Sequence, residues 1–313
     1  MENNESINST NSSSGEYHVP VLLRQTLDGL AVKPGGIYVD CTFGGGGHAK
    51  ELLKQLNAEG KLFVFDQDAD AAKNVPADDR VVFVPNNFRH LQRFLRLHKT
   101  TMVDGIMADL GVSSHQFDEP ERGFSTRFDA ALDMRMDRRQ AVTAFEVVNT
   151  YTEQQLHTLF EQYGEVTNAK TLARTIVAVR SSASLKTISN FKAALHTVVK
   201  GNPNKYFAQV FQALRIEVNN ELGVLRELLE QIPQLLKPGG RVAIITFHSL
   251  EDRLVKNFFR KGTFAEEVTH PFENVESASE LRIITKKPIT AEPAETKRNP
   301  RSRSAKLRVA EKI

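Results

Sequence analysis

The chain has 313 residues, 40% hydrophobic and 25% charged, enough to bury a sizeable core in two domains or in one domain with a large insert. No stretch approaches 18 consecutive apolar residues, so no membrane-spanning helix is predicted; the single cysteine, Cys41, excludes intrachain disulfides and cysteine-rich metal sites and fits a reducing, cytoplasmic setting. The net charge of +3 is unevenly spread, because residues 286–313 hold nine Lys/Arg against three Glu, and such a basic tail hints at a polyanionic partner.

Residues 1–16 hold one large aliphatic residue after Met1, Ile7, and are expected to be disordered. They lack the apolar run of a secretory signal, so their three Asn-x-Ser/Thr triplets carry no meaning here. Two turns then repeat almost verbatim. Lys33-Pro34-Gly35-Gly36 precedes Ile37–Asp40, and Lys237-Pro238-Gly239-Gly240 precedes Arg241–Phe247. Each apolar run reads as a buried strand, as do 61–65, 80–84 and 104–108. Helix-like segments at 48–57, 68–74 and 88–97 separate them, and this alternation predicts a parallel α/β sheet.

More than 130 residues part Asp109 from the next strand, far too many for one crossover helix. A capping box at Thr152-Glu-Gln-Gln155 opens a helix with Leu156, Leu159, Phe160 and Tyr163 on one face. Leu172, Ile176 and Val179 continue the pattern. A helical domain is therefore expected to be inserted at 115–210, with internal boundaries near Ser189 and Gly201–Asn204. Helices at 206–220 and 221–236 lead back to the sheet. The tail from Lys286, rich in Pro, Glu and basic residues, is expected to dock only in part.

The stretch Asp40-Cys-Thr-Phe-Gly44-Gly-Gly-Gly47-His48 sits where the first strand turns into a helix. Glycines there let backbone approach a ligand at a helix N-terminus. Asp40, Asp66 and Asp109 each end an apolar strand, on the side where open α/β sheets bind ligands, and Asp66 stands 20 residues beyond Gly46, where an acid bonds ribose hydroxyls. Strand-terminal aspartates also cap following helices. Together with the glycines they point to a nucleoside-type cofactor, and both NAD and S-adenosylmethionine fit. Gly44-x-Gly46-x-x-Ala49 satisfies a dinucleotide fingerprint and keeps an NAD-dependent oxidoreductase open.

The sequence also resembles a known family, the ribosomal RNA small-subunit methyltransferase H family, also called MraW. The resemblance rests on His18–Leu23, Asp40–His48, Asp109-Leu-Gly-Val-Ser-Ser114, Glu121-Arg-Gly-Phe-Ser125, Leu132–Asp137, Ala213–Leu222, Phe247-His-Ser-Leu-Glu-Asp-Arg253 and Asn299–Arg308, in order over about residues 17–310. It implies a Rossmann-like class I methyltransferase sheet, built from 17–114 and 211–313, with an inserted all-helical domain. It implies an S-adenosylmethionine-dependent enzyme that methylates the exocyclic N4 of a cytosine in small-subunit (16S) ribosomal RNA near the decoding centre, free or in the assembled small subunit. It further implies that Gly46, Gly47, His48, Asp66, Phe88, Asp109 and Gln116 bind the cofactor. No metal site is expected. The family's fold could also serve a non-catalytic ribosome-assembly factor.

No residue is assigned as catalytic base. Many amino-methyltransferases carry Pro-Pro and an aromatic after the fourth strand, and here Asp109 is followed by Leu110-Gly111-Val112. Asp109 orients N4 or only holds the cofactor. Ser249 reads as the N-cap of the next helix, and His248 is a lone histidine near the same crevice. Asp133, Arg135 and Asp137 meet RNA or form a salt-linked loop. Arg89, Arg93 and Arg96 form a basic stripe that tracks phosphates or faces solvent.

Overall fold

The structure, a computed structural model, describes residues 20–264 and 279–313. The head at 1–16 lies outside the described residues. A short helix α1 (Leu23–Leu30) leads into β1 (Ile37–Asp40), then α2 (Gly47–Gln55), β2 (Lys61–Phe65), β3 (Val81–Val84), α3 (Leu91–Leu97) and β4 (Val103–Asp109). The expected 68–74 helix is a 3-10 turn over Ala69–Asn74, capped by Asp68. Helices α4 (Ser114–Asp118), α5 (Ala144–Thr150), α6 (Glu153–Gln162), α7 (Ala169–Val179), α8 (Ile188–Ala194), α9 (Pro203–Asn219) and α10 (Glu221–Leu235) follow without an intervening strand. The chain then returns to the sheet in β5 (Leu236–Thr246), α11 (Ser249–Lys261), β6 (Leu281–Ile283), β7 (Ile289–Thr290), α12 (Pro293–Arg298) and β8 (Lys306–Lys312).

The sheet order is β3-β2-β1-β4-β5-β8-β6, with β7 also pairing β8. Strands β1 to β5 are parallel, and β8 runs antiparallel between β5 and β6. This is the expected Rossmann-like class I sheet. Its central strands are apolar throughout because helices cover both faces. One face carries a core of Val39, Phe63, Ile106 and Val242 under α3, α10 and α11. The other carries Leu62, Val64, Met107 and Ile245 under α1 and α2. The two repeated turns meet. Lys237 Nζ lies 2.6 Å and Lys33 Nζ 3.9 Å from the Asp104 carboxylate, which also accepts the Ile37 N–H. One buried acid thus fixes the starts of β1, β4 and β5.

The helical unit has its own core, centred on Phe160, Leu172, Ile176, Phe191 and Leu214. Both halves of the Thr152–Gln155 capping box are present. Helix α9 runs unbroken across residue 210, and its buried Tyr206, Phe207, Val210, Phe211, Ala213, Leu214 and Val218 belong to the helical core. The chain changes direction at Asn220, whose left-handed φ of 47° closes α9.

The tail departs from expectation: it is built into the sheet. Leu307, Val309 and Ala310 are fully buried in β8. Arg308 and Lys306 pair with Asp252, Arg301 with Asp118, and Lys312 with Glu280. The charge count hid the strand's apolar positions, and these acids use up much of the tail's positive charge.

Candidate functional site

The carboxyl ends of β1, β2 and β4 open onto a cavity of about 570 Å3. Its floor is the loop from Cys41 to Gly47. Gly44 (φ 50°) and Gly46 (φ 74°) turn left-handed, which swings the chain from β1 into α2. Asp66 anchors this loop: its Oδ2 accepts the Gly44 N–H at 2.7 Å and its Oδ1 accepts the Asp68 N–H at 2.8 Å. Burial raises its carboxyl to about 6 against these two bonds. Asp40, beneath the loop, is raised to about 7, first by burial and also by Asp66, although it accepts the Thr42 N–H.

Of the seven residues the resemblance names, Gly47, His48, Asp66, Phe88, Asp109 and Gln116 line the cavity. Gly46 does not. It is the left-handed N-cap of α2, and a Cβ there would strike the Phe43 ring at 2.8 Å. Its left-handed backbone shapes the loop. Gly45, which the resemblance passes over, faces the open space: a Cβ there would meet nothing within 4 Å. His48 is buried, and its Nε2–H donates to Val21 O at 3.0 Å. Burial depresses it to about 4, so it is neutral near pH 7, with Nδ1 3.8 Å from Asp109 Oδ2. Burial, then Asp40 and Glu251, push Asp109 well above the usual carboxylate range. Its Oδ1 is buried without a hydrogen-bond partner.

Gln116 is held rather than loose. Its Oε1 accepts the Ser113 N–H, and its Nε2 donates to Asp68 Oδ2 at 2.8 Å. The same Asp68 oxygen receives Arg122 Nη1 at 2.6 Å. Arg122 is 1% exposed and also donates Nη2 to the carbonyls of Arg135 and Met136. This buried ion pair ties the segment after β4 to the loop after β2, and so sets one wall. The Glu121-Arg-Gly-Phe-Ser125 motif gave no hint of that role, because the partner lies 54 residues away.

Residues from the far end of the chain complete the rim. Phe247, Glu251, Asn299 and Arg301 line the cavity; Phe247 and Glu251 stand at the carboxyl end of β5, beside β4, while Asn299 and Arg301 come from the tail, which reaches the rim only because β8 inserts antiparallel beside β5. Ser249 is not the cap of α11. His248 is: its ring accepts the Glu251 N–H, and Glu251 accepts the His248 N–H. Ser249 is exposed, the first residue of the helix. Glu251 is buried yet held low, with His248 and Arg215 outweighing its burial. Asp133–Arg135 and Asp137–Arg139 pair within their own loop, which is the salt-linked alternative. The basic stripe is broken, since Arg89 forks onto Glu227 of α10 while Arg93 and Arg96 stay exposed. No described helix is long and apolar enough to cross a membrane.

The sequence model of the MraW methylase family matches residues 15–313. Ribosomal RNA small subunit methyltransferase H of Flavobacterium johnsoniae is 54% identical over 299 residues, 95% of this chain and 98% of that protein. The proteins of the same name from Parabacteroides distasonis and Bacteroides thetaiotaomicron are 52% and 50% identical, over 95% of this chain and 98% and 97% of theirs. A cavity at the ends of β1, β2 and β4, floored by a glycine loop, thus sits in a chain that matches one family almost end to end: this protein belongs to the MraW methylase family.

Proposed function

We propose that the protein is a cytoplasmic S-adenosylmethionine-dependent methyltransferase that modifies the exocyclic N4 of a cytosine in small-subunit ribosomal RNA. The observation that carries this reading is the cavity itself. Gly45 leaves its floor without a Cβ, Asp66 stands at the end of β2, and the buried Asp109 Oδ1 lacks a partner. These features suit an adenosine-bearing cation. Gly44, Gly45 and Gly47 would bare backbone to the donor, Asp66 would take its ribose, and Phe88 would flank its adenine. Gln116 is positioned for the same pocket by Asp68 and Ser113.

S-adenosylmethionine supplies a methyl on a positively charged sulfur. The chain's own task is alignment, since near-attack positioning can provide a large part of the rate. Cytosine N4 is a weak nucleophile because its lone pair is delocalised into the ring, so acceptors on its N–H groups favour the transition state. Leu110, Gly111 and Val112 wall the cavity where other amino-methyltransferases carry prolines. Phe247, at the end of β5, offers the aromatic face that this segment lacks. A base held in such a recess must be unstacked from its RNA strand. The helical unit borders the same mouth through Met136 and Asn219.

The oxidoreductase reading gains no support from the family match, and Gly46 of its fingerprint points away from the cavity. Mapping modified nucleosides in ribosomal RNA from cells with and without this gene tests the proposal. One N4-methylated cytosine should vanish from the small-subunit RNA. An unchanged map would overturn it, and turnover on RNA separates it from a non-catalytic assembly factor.

A further inference from the structure

We propose that Asp109 is the residue by which the pocket distinguishes its methyl donor from the demethylated product, by giving up a proton when the donor's positive sulfur binds and keeping it when the neutral thioether does. The proposal rests on the donor assignment above and concerns the charge of one atom of that ligand.

The surroundings of Asp109 are short of positive charge. From β1 it faces Asp40, from α11 Glu251, and from α2 His48. Glu251 stays charged because His248, Arg215 and the Phe247 N–H hold it so. Arg215 in turn is forked onto Glu221, so its charge is already matched. His48 is neutral near pH 7 and contributes no cation. Among the described residues, His48 is the one basic side chain within ion-pair distance of Asp109. Thr42 Oγ1 accepts the Asp109 N–H at 2.6 Å, and its own hydroxyl serves the Asp40 carboxyl. Asp109 thus lines the cavity with its side chain a quarter exposed, while its Oδ1 is buried behind that surface with no hydrogen-bond partner. A carboxylate so placed is costly, and the group answers by keeping its proton.

A cation in the cavity reverses that balance. It supplies a counter-charge to the carboxylate, the proton leaves for solvent, and binding becomes linked to pH. Donor and product share the amino group, the carboxylate and the adenosine. They differ in the methyl and in the charge on sulfur. Proton uptake or release at Asp66, which would meet the shared ribose, therefore cancels when the two ligands are compared. What survives the subtraction is the response to the sulfur's charge. Once the methyl has left, the neutral sulfur no longer pairs with the carboxylate, Asp109 takes its proton back, and the product is held without the charge attraction that held the donor.

The test is titration calorimetry of the full-length protein with S-adenosylmethionine and with S-adenosylhomocysteine, each in buffers of different ionisation enthalpy near about pH 7. The donor should release more protons than the product, by up to about one. Its affinity relative to the product should rise with pH, by up to about tenfold per unit. Asp109→Asn should abolish the excess release and narrow the preference, whereas Asp40→Asn should retain an excess. Equal proton release by both ligands in the unaltered protein would overturn the proposal. So would an excess that survives in Asp109→Asn, since the proton would then belong to another group. Failure of both ligands to bind would instead overturn the donor assignment beneath it.

Discussion

Replacing Arg122 by Met tests how the cavity wall is held. The guanidinium donates to Asp68 Oδ2 at 2.6 Å, to Arg135 O at 3.1 Å and to Met136 O at 3.0 Å, and it is almost wholly buried. Met fills a similar volume, so the packing loss is small. The electrostatic loss is large, because Asp68 would remain buried and charged with Gln116 as its main side-chain partner. Breaking one side of a buried pair costs about 3–5 kcal/mol. At roughly 2–4 °C per kcal/mol, the melting temperature should fall by roughly 6–20 °C. The wall should also loosen, since Met136 lines the cavity and packs on Gln67, so S-adenosylmethionine affinity should drop as well. Thermal and urea unfolding measure the first effect and calorimetry the second. Adding Asp68→Asn to Arg122→Met should recover part of the stability by removing the orphaned charge. A single variant within about 1 kcal/mol of the parent, inside the usual scatter of surface substitutions, would refute this reasoning, as would a double variant less stable than the single.

Other outcomes follow from the same geometry. Asp66→Asn leaves one of two backbone donors facing an amide N–H. Loss of a hydrogen bond to a charged group is worth about 1.5–3 kcal/mol, so donor affinity should weaken roughly 10- to 150-fold, and an unchanged Kd would contradict the assignment of Asp66. Gly45→Val should leave the melting temperature unaltered, because the position opens onto empty space, while blocking donor binding; lost stability with retained binding would reverse that expectation. His48 is held to about 4 in the fold against about 6.5 when unfolded. Its contribution is present above about pH 6.5 and is lost as pH falls toward 4, by about 3 kcal/mol, and urea unfolding across that range should show a slope that His48→Gln flattens. Asp40, raised to about 7, penalises the fold increasingly as pH rises from about 4 to 7. Asp40→Asn should therefore stabilise the ligand-free protein most above pH 7 and little near pH 4, and a uniform shift at all pH values would show that burial of charge is not the cause.

The sheet was readable in the sequence because its strands are continuous apolar runs punctuated by Pro-Gly-Gly turns. The aspartates at their ends were readable because strand ends and ligand crevices coincide in open α/β sheets. What local pattern could not give were pairings between distant segments. Arg122 meets Asp68 only after the chain has folded back from α4. The tail was expected to dock only in part because its lysines and arginines dominate the composition, yet Asp252, Asp118 and Glu280 neutralise several of them and Leu307 and Val309 fill the core. The cap of α11 was misplaced by one residue, since serine is the commoner cap and histidine at the same turn performs the task. Gly46 was expected to bind the cofactor; it is absent from the cavity lining, and its left-handed backbone bends the loop that forms the floor.

The most direct measurement of the central claim is methyl transfer by the purified protein. Labelled S-adenosylmethionine is offered with naked small-subunit ribosomal RNA and, separately, with the assembled particle, and the RNA is digested to nucleosides. The account predicts label in N4-methylcytidine from at least one of the two substrates. Label in another nucleoside, or none in cytosine with either, would contradict it.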